Sequence, residues 1–426
     1  MGRVKITIIG GGSTYTPELI DGFSRLRDEL PIDEVWLVDP DAERLALVAG
    51  VSQRMFDRAG HPGRIHATSD VIAGVADADA VLFQLRIGGQ NARHGDESWP
   101  HEACCLGQET TGPGGFAKAL RTVPVVLDIA ELVRTHAKPD AWIIDFTNPV
   151  GIVTRALLEA GHRAVGLCNV AIGFQRSFAK LLNVDYSAIS LQHVGLNHLT
   201  WERGVTVAAP DGPREVLPEL LHDHLDQLAA HTHMPASLLT LQQAVPSYYV
   251  RYYYFSDEVL RNQIGKPTRA QSVLKLEQSL LKKYADPTVD SKPEELEHRG
   301  GAYYSDAAVD VIASLTTNRG DVQILNVRNN GTMPFLPDDH VIEVPSRVTS
   351  AAITAEPIDP LPDDMIGLIS HAAAYERLAL DAAVNGGRDR VLRAMLANPL
   401  VGQYDKAERL TDLLIAENRH HLAWAQ

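Results

Sequence analysis

Six short runs rich in branched aliphatic residues, Val4–Ile9, Glu34–Asp39, Arg64–Thr68, Ala80–Leu85, Ala141–Asp145 and Ala164–Cys168, alternate with helical stretches through the first half of the chain. That alternation predicts an α/β fold with a Rossmann-like, doubly wound and mostly parallel sheet, because parallel neighbours need a crossover and the crossover is usually a helix. From about Tyr186 the texture changes. Ser190–Leu196 and Thr200–Ala208 read as strands joined by a tight turn, followed by helical stretches at Pro235–Gln243 and Thr268–Tyr284. Asn326–Met333 and Val341–Val348 read as further strands, with turn signals at Asn329-Asn330-Gly331 and Leu336-Pro337-Asp338-Asp339. The tail from Asp363 to about Asn418 carries apolar residues at helical spacing in Leu368, Ala372, Tyr375, Leu378 and Ala382. The expected organisation is a Rossmann-like domain over residues 1–185 and a second, α+β domain over 186–426, fused without a flexible linker.

At 426 residues the chain exceeds one ordinary core. Its 45% hydrophobic and 22% charged composition is that of a globular protein, and apolar runs such as Val35–Val38 and Ala80–Phe83 are far too short to cross a bilayer. The chain enters a strand at Val4–Ile9 with no apolar signal region before it, so a cytoplasmic location is expected. Three cysteines, two of them adjacent, are too few for a disulfide framework and suit a reducing compartment. A formal net charge of −15 argues against a nucleic-acid partner. An anionic small substrate would need a locally basic pocket in such a chain.

The first strand runs into Gly10-Gly-Gly-Ser-Thr-Tyr-Thr-Pro17, which opens a helix. Glycines there let the backbone approach a pyrophosphate, while the helix N-terminus supplies N–H groups and positive potential. The candidate cofactor contacts are Gly10, Gly12 and Ser13, although Tyr15 stands where the dinucleotide fingerprint has its third glycine. Asp39 ends the second strand, where a carboxylate can accept hydrogen bonds from ribose hydroxyls and repel a 2′-phosphate, favouring NAD over NADP. The plainer alternatives are a βα turn and a strand-end Asp that caps the next helix.

Gly166-Leu-Cys-Asn-Val170 and Gly195-Leu-Asn-His198 place a lone thiol and an imidazole after two expected strands. A soft and a borderline ligand converging there suggest a divalent metal held by Cys168 and His198. Taken singly, Cys168 is equally a small buried hydrophobe and His198 a satisfied core histidine. Asn148, in Asp145-Phe-Thr-Asn-Pro149, adds a polar amide after the fifth parallel strand, or else a turn residue before proline. A nicotinamide site, a metal pair and an amide at the carboxyl ends of parallel strands are the parts of a metal-assisted hydride enzyme.

Over almost its whole length the chain also resembles glycoside hydrolase family 4, most closely the 6-phospho-β-glucosidases. The resemblance rests on Gly10–Glu18, Gln108-Glu-Thr-Thr-Gly-Pro-Gly-Gly115, Phe146-Thr-Asn-Pro149, Gly166-Leu-Cys-Asn169, Gly195-Leu-Asn-His198, Tyr249-Val-Arg-Tyr-Tyr253 and Arg328-Asn-Asn-Gly331, in the family's order. It implies hydrolysis through transient oxidation: bound NAD takes hydride from C3, the C2 proton becomes acidic, the aglycone leaves C1 by elimination, water adds and the ketone is reduced. A divalent ion, usually Mn²⁺, on Cys168 and His198 would act as Lewis acid. Tyr249 matches the C2 base, which requires a phenol pKa well below its usual 10 or so, and Glu109 a carboxylate that raises its basicity. Arg93 matches a substrate-phosphate arginine, Arg269 a second substrate arginine and Asn148 a substrate-contacting asparagine. Asn169 matches the β-active branch, since the α-active branch carries a proton-donating aspartate there.

The expectation is therefore a cytoplasmic, NAD- and Mn²⁺-dependent glycosidase acting on 6-phospho-β-glucosides such as cellobiose 6-phosphate, forming a homodimer or homotetramer, with no nucleic-acid or membrane partner. The alternatives are a family 4 enzyme for an unphosphorylated or α-linked sugar, a true sugar dehydrogenase releasing NADH, and a catalytically inactive sugar-phosphate or NAD sensor.

Overall fold

The structure, a computed structural model, describes residues 4–299 and 303–426. Six parallel strands, β1 Lys5–Ile9, β2 Glu34–Val38, β3 Arg64–Thr68, β4 Ala80–Phe83, β5 Trp142–Asp145 and β6 Ala164–Gly166, lie in the order β3-β2-β1-β4-β5-β6. This is the doubly wound order expected, and its turning point falls between β1 and β4, where a crevice opens at the carboxyl edge. β4 is buried along its whole length, as a strand covered on both faces must be. Helices Thr16–Arg25 and Ala42–Ala59 cover one face through Leu19, Phe23, Val48 and Met55; helices Gly112–His136 and Val150–Glu159 cover the other through Phe116, Val123, Val153 and Leu157. Each such buried side chain stabilises the fold by about 1.5–3 kcal/mol.

The second half supplies β7 Ile189–Leu196, β8 Leu199–Val207, β9 Arg214–Glu215, β10 Val245–Pro246, β11 Val322–Arg328, β12 Val341–Val348 and β13 Ile353–Ala355. β7 and β8 form an antiparallel hairpin that carries β9 and β10 along β8. β11, β12 and β13 do not join it. They add antiparallel to β6 and complete a nine-stranded sheet, so the sheet crosses the division expected at 185/186.

Two expected elements are shifted or divided. The strand read as Asn326–Met333 occupies Val322–Arg328, because Asn329 leaves the ladder: its Nδ2 donates to the carbonyls of Met333 (2.9 Å) and Leu336 (3.0 Å), and its Oδ1 accepts from Met333 N. Side-chain competition with the backbone builds a turn there instead. The helical tail is three helices, Asp363–Asn385, Arg388–Ala397 and Tyr404–Asn418. Gly386 and Gly387, at φ +64° and +95°, make the first break, and Asn398-Pro399 leads into the second. Among the described residues no helix is long and apolar enough to cross a membrane.

One buried ion pair holds the helices that flank the crevice. Arg121, on Gly112–His136, makes two parallel bonds to Asp96 (2.8 and 2.7 Å), the last residue of helix Gly89–Asp96, and its Nη1 also donates to Asn418 Oδ1 at 2.7 Å. Replacing Arg121 by Met strands a buried carboxylate, so chemical denaturation should show a loss of about 3–5 kcal/mol; an unchanged midpoint would show that the pair contributes nothing net.

Candidate active site

Above the carboxyl edge of β1, β4, β5 and β6 lies a cleft of about 760 Å³, a size that suits a small ligand with a cofactor. All the expected site residues except Gly12 line it. Six basic side chains (Arg44, Arg86, Arg93, Lys118, Lys266, Arg269) face five carboxylates (Asp39, Asp41, Glu97, Glu109, Glu277) across it. The cleft is thus basic on balance in a chain of net charge −15.

At one end, Gly10 and Gly11 both donate their N–H to Val38 O at 2.9 Å, and Gly10 turns the chain at φ +83°. A Cβ on Gly10 would lie 2.7 Å from Gln84 O, and one on Gly12 2.8 Å from Asp39 Cγ. The turn therefore needs its glycines, and it leaves backbone exposed to a ligand at the start of helix Thr16–Arg25. Asp39 accepts from Gly12 N at 3.1 Å and Asp41 N at 3.0 Å, which orients its carboxylate at the strand end. Burial raises its pKa, with those two N–H bonds opposing. Tyr15 is buried and stands edge-on to Tyr304, whose hydroxyl shares its hydrogen between the carbonyls of Phe146 and Leu167. These residues fit a dinucleotide.

At the other end, His198 is the second residue of the two-residue β7–β8 turn, at φ +64°. Its Nδ1 is 2.9 Å from Thr110 Oγ1, and that hydroxyl donates its single hydrogen to Gln108 Oε1 at 2.8 Å. The histidine must then be the donor, which assigns the proton to Nδ1 and leaves a lone pair on Nε2. Burial pushes the imidazole pKa down to about 4, so the ring is neutral at pH 7. Both are what a metal-binding histidine needs. Cys168 sits one residue before the N-cap of helix Val170–Leu182, with N–H groups of Asn169 and Val170 and the Asn197 side chain on its sulfur. Burial, then the Glu343 carboxylate, drives its pKa well above the usual thiol value. A cation bound between Cys168 and His198 would reverse that and stabilise the thiolate. Among the described residues no third His, Cys, Asp or Glu completes a ligand group with this pair, so coordination positions would stay open for substrate oxygens.

Tyr249 stacks on His198 with ring centroids 3.7 Å apart and planes 8° apart. Burial, then Cys168, Tyr252 and Glu109, raise its pKa while Arg93 lowers it, so in the protein alone it is a phenol. Asn148 Oδ1 is buried with no protein partner, a free acceptor in the cleft wall. Arg269 opens helix Arg269–Tyr284 beside the capping box of Thr268 and Gln271.

Arg93 is more committed than its sequence context suggested: Nε donates to Glu97 at 2.7 Å and Nη2 lies 3.1 Å from Glu109. Glu109 in turn meets Arg86 in a short contact and Lys118 Nζ at 2.7 Å. Burial alone would raise its pKa; Arg86, Lys118 and Arg93 more than reverse this and hold it well below the usual carboxylate range. Burial, then Arg86, takes Lys118 down to about 7. Sequence reasoning missed Arg86 and Lys118. Arg86 was findable, since it follows β4 where parallel sheets build their sites; Lys118 was not, because a lysine in a helix ordinarily reads as solvated.

Known proteins resemble this chain in both sequence and fold. Residues 5–184 match the model of family 4 glycosyl hydrolases, and residues 193–401 match that family's C-terminal domain. The chain is 39% identical to a probable 6-phospho-β-glucosidase of Bacillus subtilis (strain 168), over 98% of this chain and 97% of that one. The structure of the 6-phospho-β-glucosidase from Thermotoga maritima with NAD and glucose-6-phosphate matches with a TM-score of 0.92 at 33% identity, over 99% of both chains. The form of that enzyme with manganese, NAD⁺ and glucose-6-phosphate matches at 0.91, again at 33% identity, over 98% of this chain and 99% of that one. Both halves of the sequence and the whole of the fold lead to one assignment: the chain belongs to family 4 of the glycosyl hydrolases.

Proposed function

We propose that the protein hydrolyses 6-phospho-β-glucosides, such as cellobiose 6-phosphate, with NAD at the Gly10–Asp39 end of the cleft and Mn²⁺ on Cys168 and His198. The observation that carries this is the His198 imidazole: its Nε2 lone pair is free, its other nitrogen is held by Thr110, and its ring lies flat against Tyr249. When bound, NAD supplies a reversible hydride acceptor for C3 of the glycosyl ring, and the cation a Lewis acid for the C2 and C3 oxygens.

The chain's own residues do the rest. Tyr249 takes the C2 proton, and the electron pair left behind expels the aglycone as the C1–O bond breaks; one water supplies the proton to the aglycone oxygen and the hydroxyl that adds at C1, and C2 takes back a proton that Tyr249 has exchanged with solvent. Glu109 is fixed as an anion by Arg86, Arg93 and Lys118, and its charge raises the proton affinity of Tyr249. That neighbour makes the phenolate a stronger base once positive charge enters the cleft. Asn148 offers Oδ1 to a sugar hydroxyl, and Asn169, an amide at the head of helix Val170–Leu182, stands where the α-active branch has its proton-donating aspartate and so matches the β-active branch. Arg93 and Arg269, with Lys118 and Lys266 nearby, provide the positive surface for the 6-phosphate. We place the enzyme in the cytoplasm, where its three free cysteines stay reduced, and as a homodimer or homotetramer that could cover Val384, Leu396 and Tyr404, exposed on the C-terminal helices.

Release of p-nitrophenol from its 6-phospho-β-glucoside should require NAD⁺, Mn²⁺ and reductant together, and the unphosphorylated β-glucoside should not turn over. Turnover of the latter would remove the phosphate assignment, and net NADH accumulation would make the protein a dehydrogenase.

The pKa of Lys118 gives a sign to the pH dependence. The side chain is protonated below about 7 and loses its charge above, so the cleft becomes less positive as pH rises. KM for the phosphorylated substrate should therefore increase from pH 6.5 to 8 in the wild type and change less in Lys118→Met. Parallel profiles would show that Lys118 does not titrate in this range.

A further inference from the structure

Behind the turn that carries His198 lies a buried cluster of charge that the chemistry above does not use. His193 and Glu202 are cross-strand partners on β7 and β8, with Nδ1 2.6 Å from Glu202 Oε1. The other ring nitrogen, Nε2, lies 3.3 Å from Oε1 of Glu343, on β12. All three are at most 1% exposed. Burial disfavours an imidazolium, yet Glu202 and Glu343 reverse this and push His193 up to about 10, and His193 in turn holds the Glu343 carboxyl below its ordinary value, so the pair is ionised. Such a cluster is costly to bury, and apolar residues of similar volume would usually serve stability as well or better.

The cluster is wired to the site. Asn197 Nδ2 donates to Glu343 Oε2 at 2.9 Å, and the same side chain hydrogen-bonds the Cys168 sulfur. A primary amide has two donors, so one residue can serve both. Asn197 is also the first residue of the two-residue turn whose second is His198. Across the large sheet, Glu343 pairs in register with Asn326, and Asn326 with Gly166, two residues before Cys168. Glu343 acts electrostatically on both Cys168 and His198 without joining them as a ligand group.

We propose that Glu343 is a positioning residue for a divalent cation at Cys168 and His198: through Asn197 it sets the sulfur and the His198 turn, while its charge, locked in place by His193 and Glu202, favours a cation in front of it. The proposal rests on the cation site proposed above for Cys168 and His198. Outer groups of this kind orient the direct ligands and contribute to affinity as well as geometry.

Mn²⁺ binding to the full-length protein, followed by the electron paramagnetic resonance signal of free Mn²⁺, tests it, with NAD⁺ affinity measured in parallel by protein fluorescence. Glu343→Gln, which keeps shape and removes charge, should weaken Mn²⁺ binding by about 10–100-fold with NAD⁺ affinity unchanged. Asn197→Ala, which breaks the bridge and leaves the charges, should weaken it in the same direction and carries the test if Glu343→Gln does not fold. Wild-type Mn²⁺ affinity in the folded variants would overturn the role of Glu343 and leave Cys168 and His198 as ligands. Parallel loss of Mn²⁺ and NAD⁺ affinity would reduce the cluster to a structural tie and overturn it too. A wild-type protein that binds no Mn²⁺, or whose binding survives Cys168→Ser, would remove the cation site itself, and the proposal with it.

Discussion

One transverse row of backbone pairing governs where the groups that follow the parallel strands lie. Thr68, Val38, Ile9, Phe83, Asp145, Gly166, Asn326 and Glu343 stand in register across eight strands. The loops that leave the parallel strands just beyond this row carry Asp39, Gly10, Arg86, Asn148 and Cys168. A slip of one residue in any pair would turn that strand's side chains over and send its loop residue away from the cleft. Strand pairing, set by burial of apolar side chains on both faces, is thus also the device that assembles the site. The antiparallel addition of β11 and β12 extends the same row into the second half, which brings Glu343 behind Cys168.

Charge is the second organising element. The chain is strongly acidic, yet Arg86, Arg93 and Lys118 are gathered around the single carboxylate of Glu109 in a buried part of the cleft. While Lys118 is protonated, three cations against Glu109 and the Glu97 that holds Arg93 leave a surplus of positive charge in low dielectric, where its pull on a phosphate is much stronger than at the surface. The same arrangement holds Glu109 ionised beside Tyr249. Binding of an anionic sugar and tuning of the base therefore draw on one group of side chains. This accounts for the low exposure of residues that, in isolation, would favour water.

Much of the site was legible because it is local in sequence. Gly10, Asp39, Asn148 and Cys168 each lie within three residues of a strand's end, and a parallel sheet places such residues together by its topology. His198 was legible through its tight turn, although its left-handed backbone and its bond to Thr110 were not. What escaped was everything that depends on contacts across the fold. Lys118 is separated from Glu109 by nine residues and a change of direction, and its burial has no signature in a helix of mixed composition. Glu343 lies 146 residues from Asn197 and looks like an ordinary strand acid. The strand at Val322–Arg328 was displaced because Asn329 competes for backbone partners, a contest that only the folded turn decides.

The central claim is that cleavage proceeds by proton removal at C2 of the sugar, with Tyr249 as the base, and the most direct test is hydrolysis of a 6-phospho-β-glucoside in D₂O. One solvent deuterium at C2 of the released glucose 6-phosphate is the result predicted, with both the label and turnover falling by about 10²–10⁴ in Tyr249→Phe. Cleavage that proceeds at the normal rate with hydrogen retained at C2 would contradict it and point to direct displacement at C1.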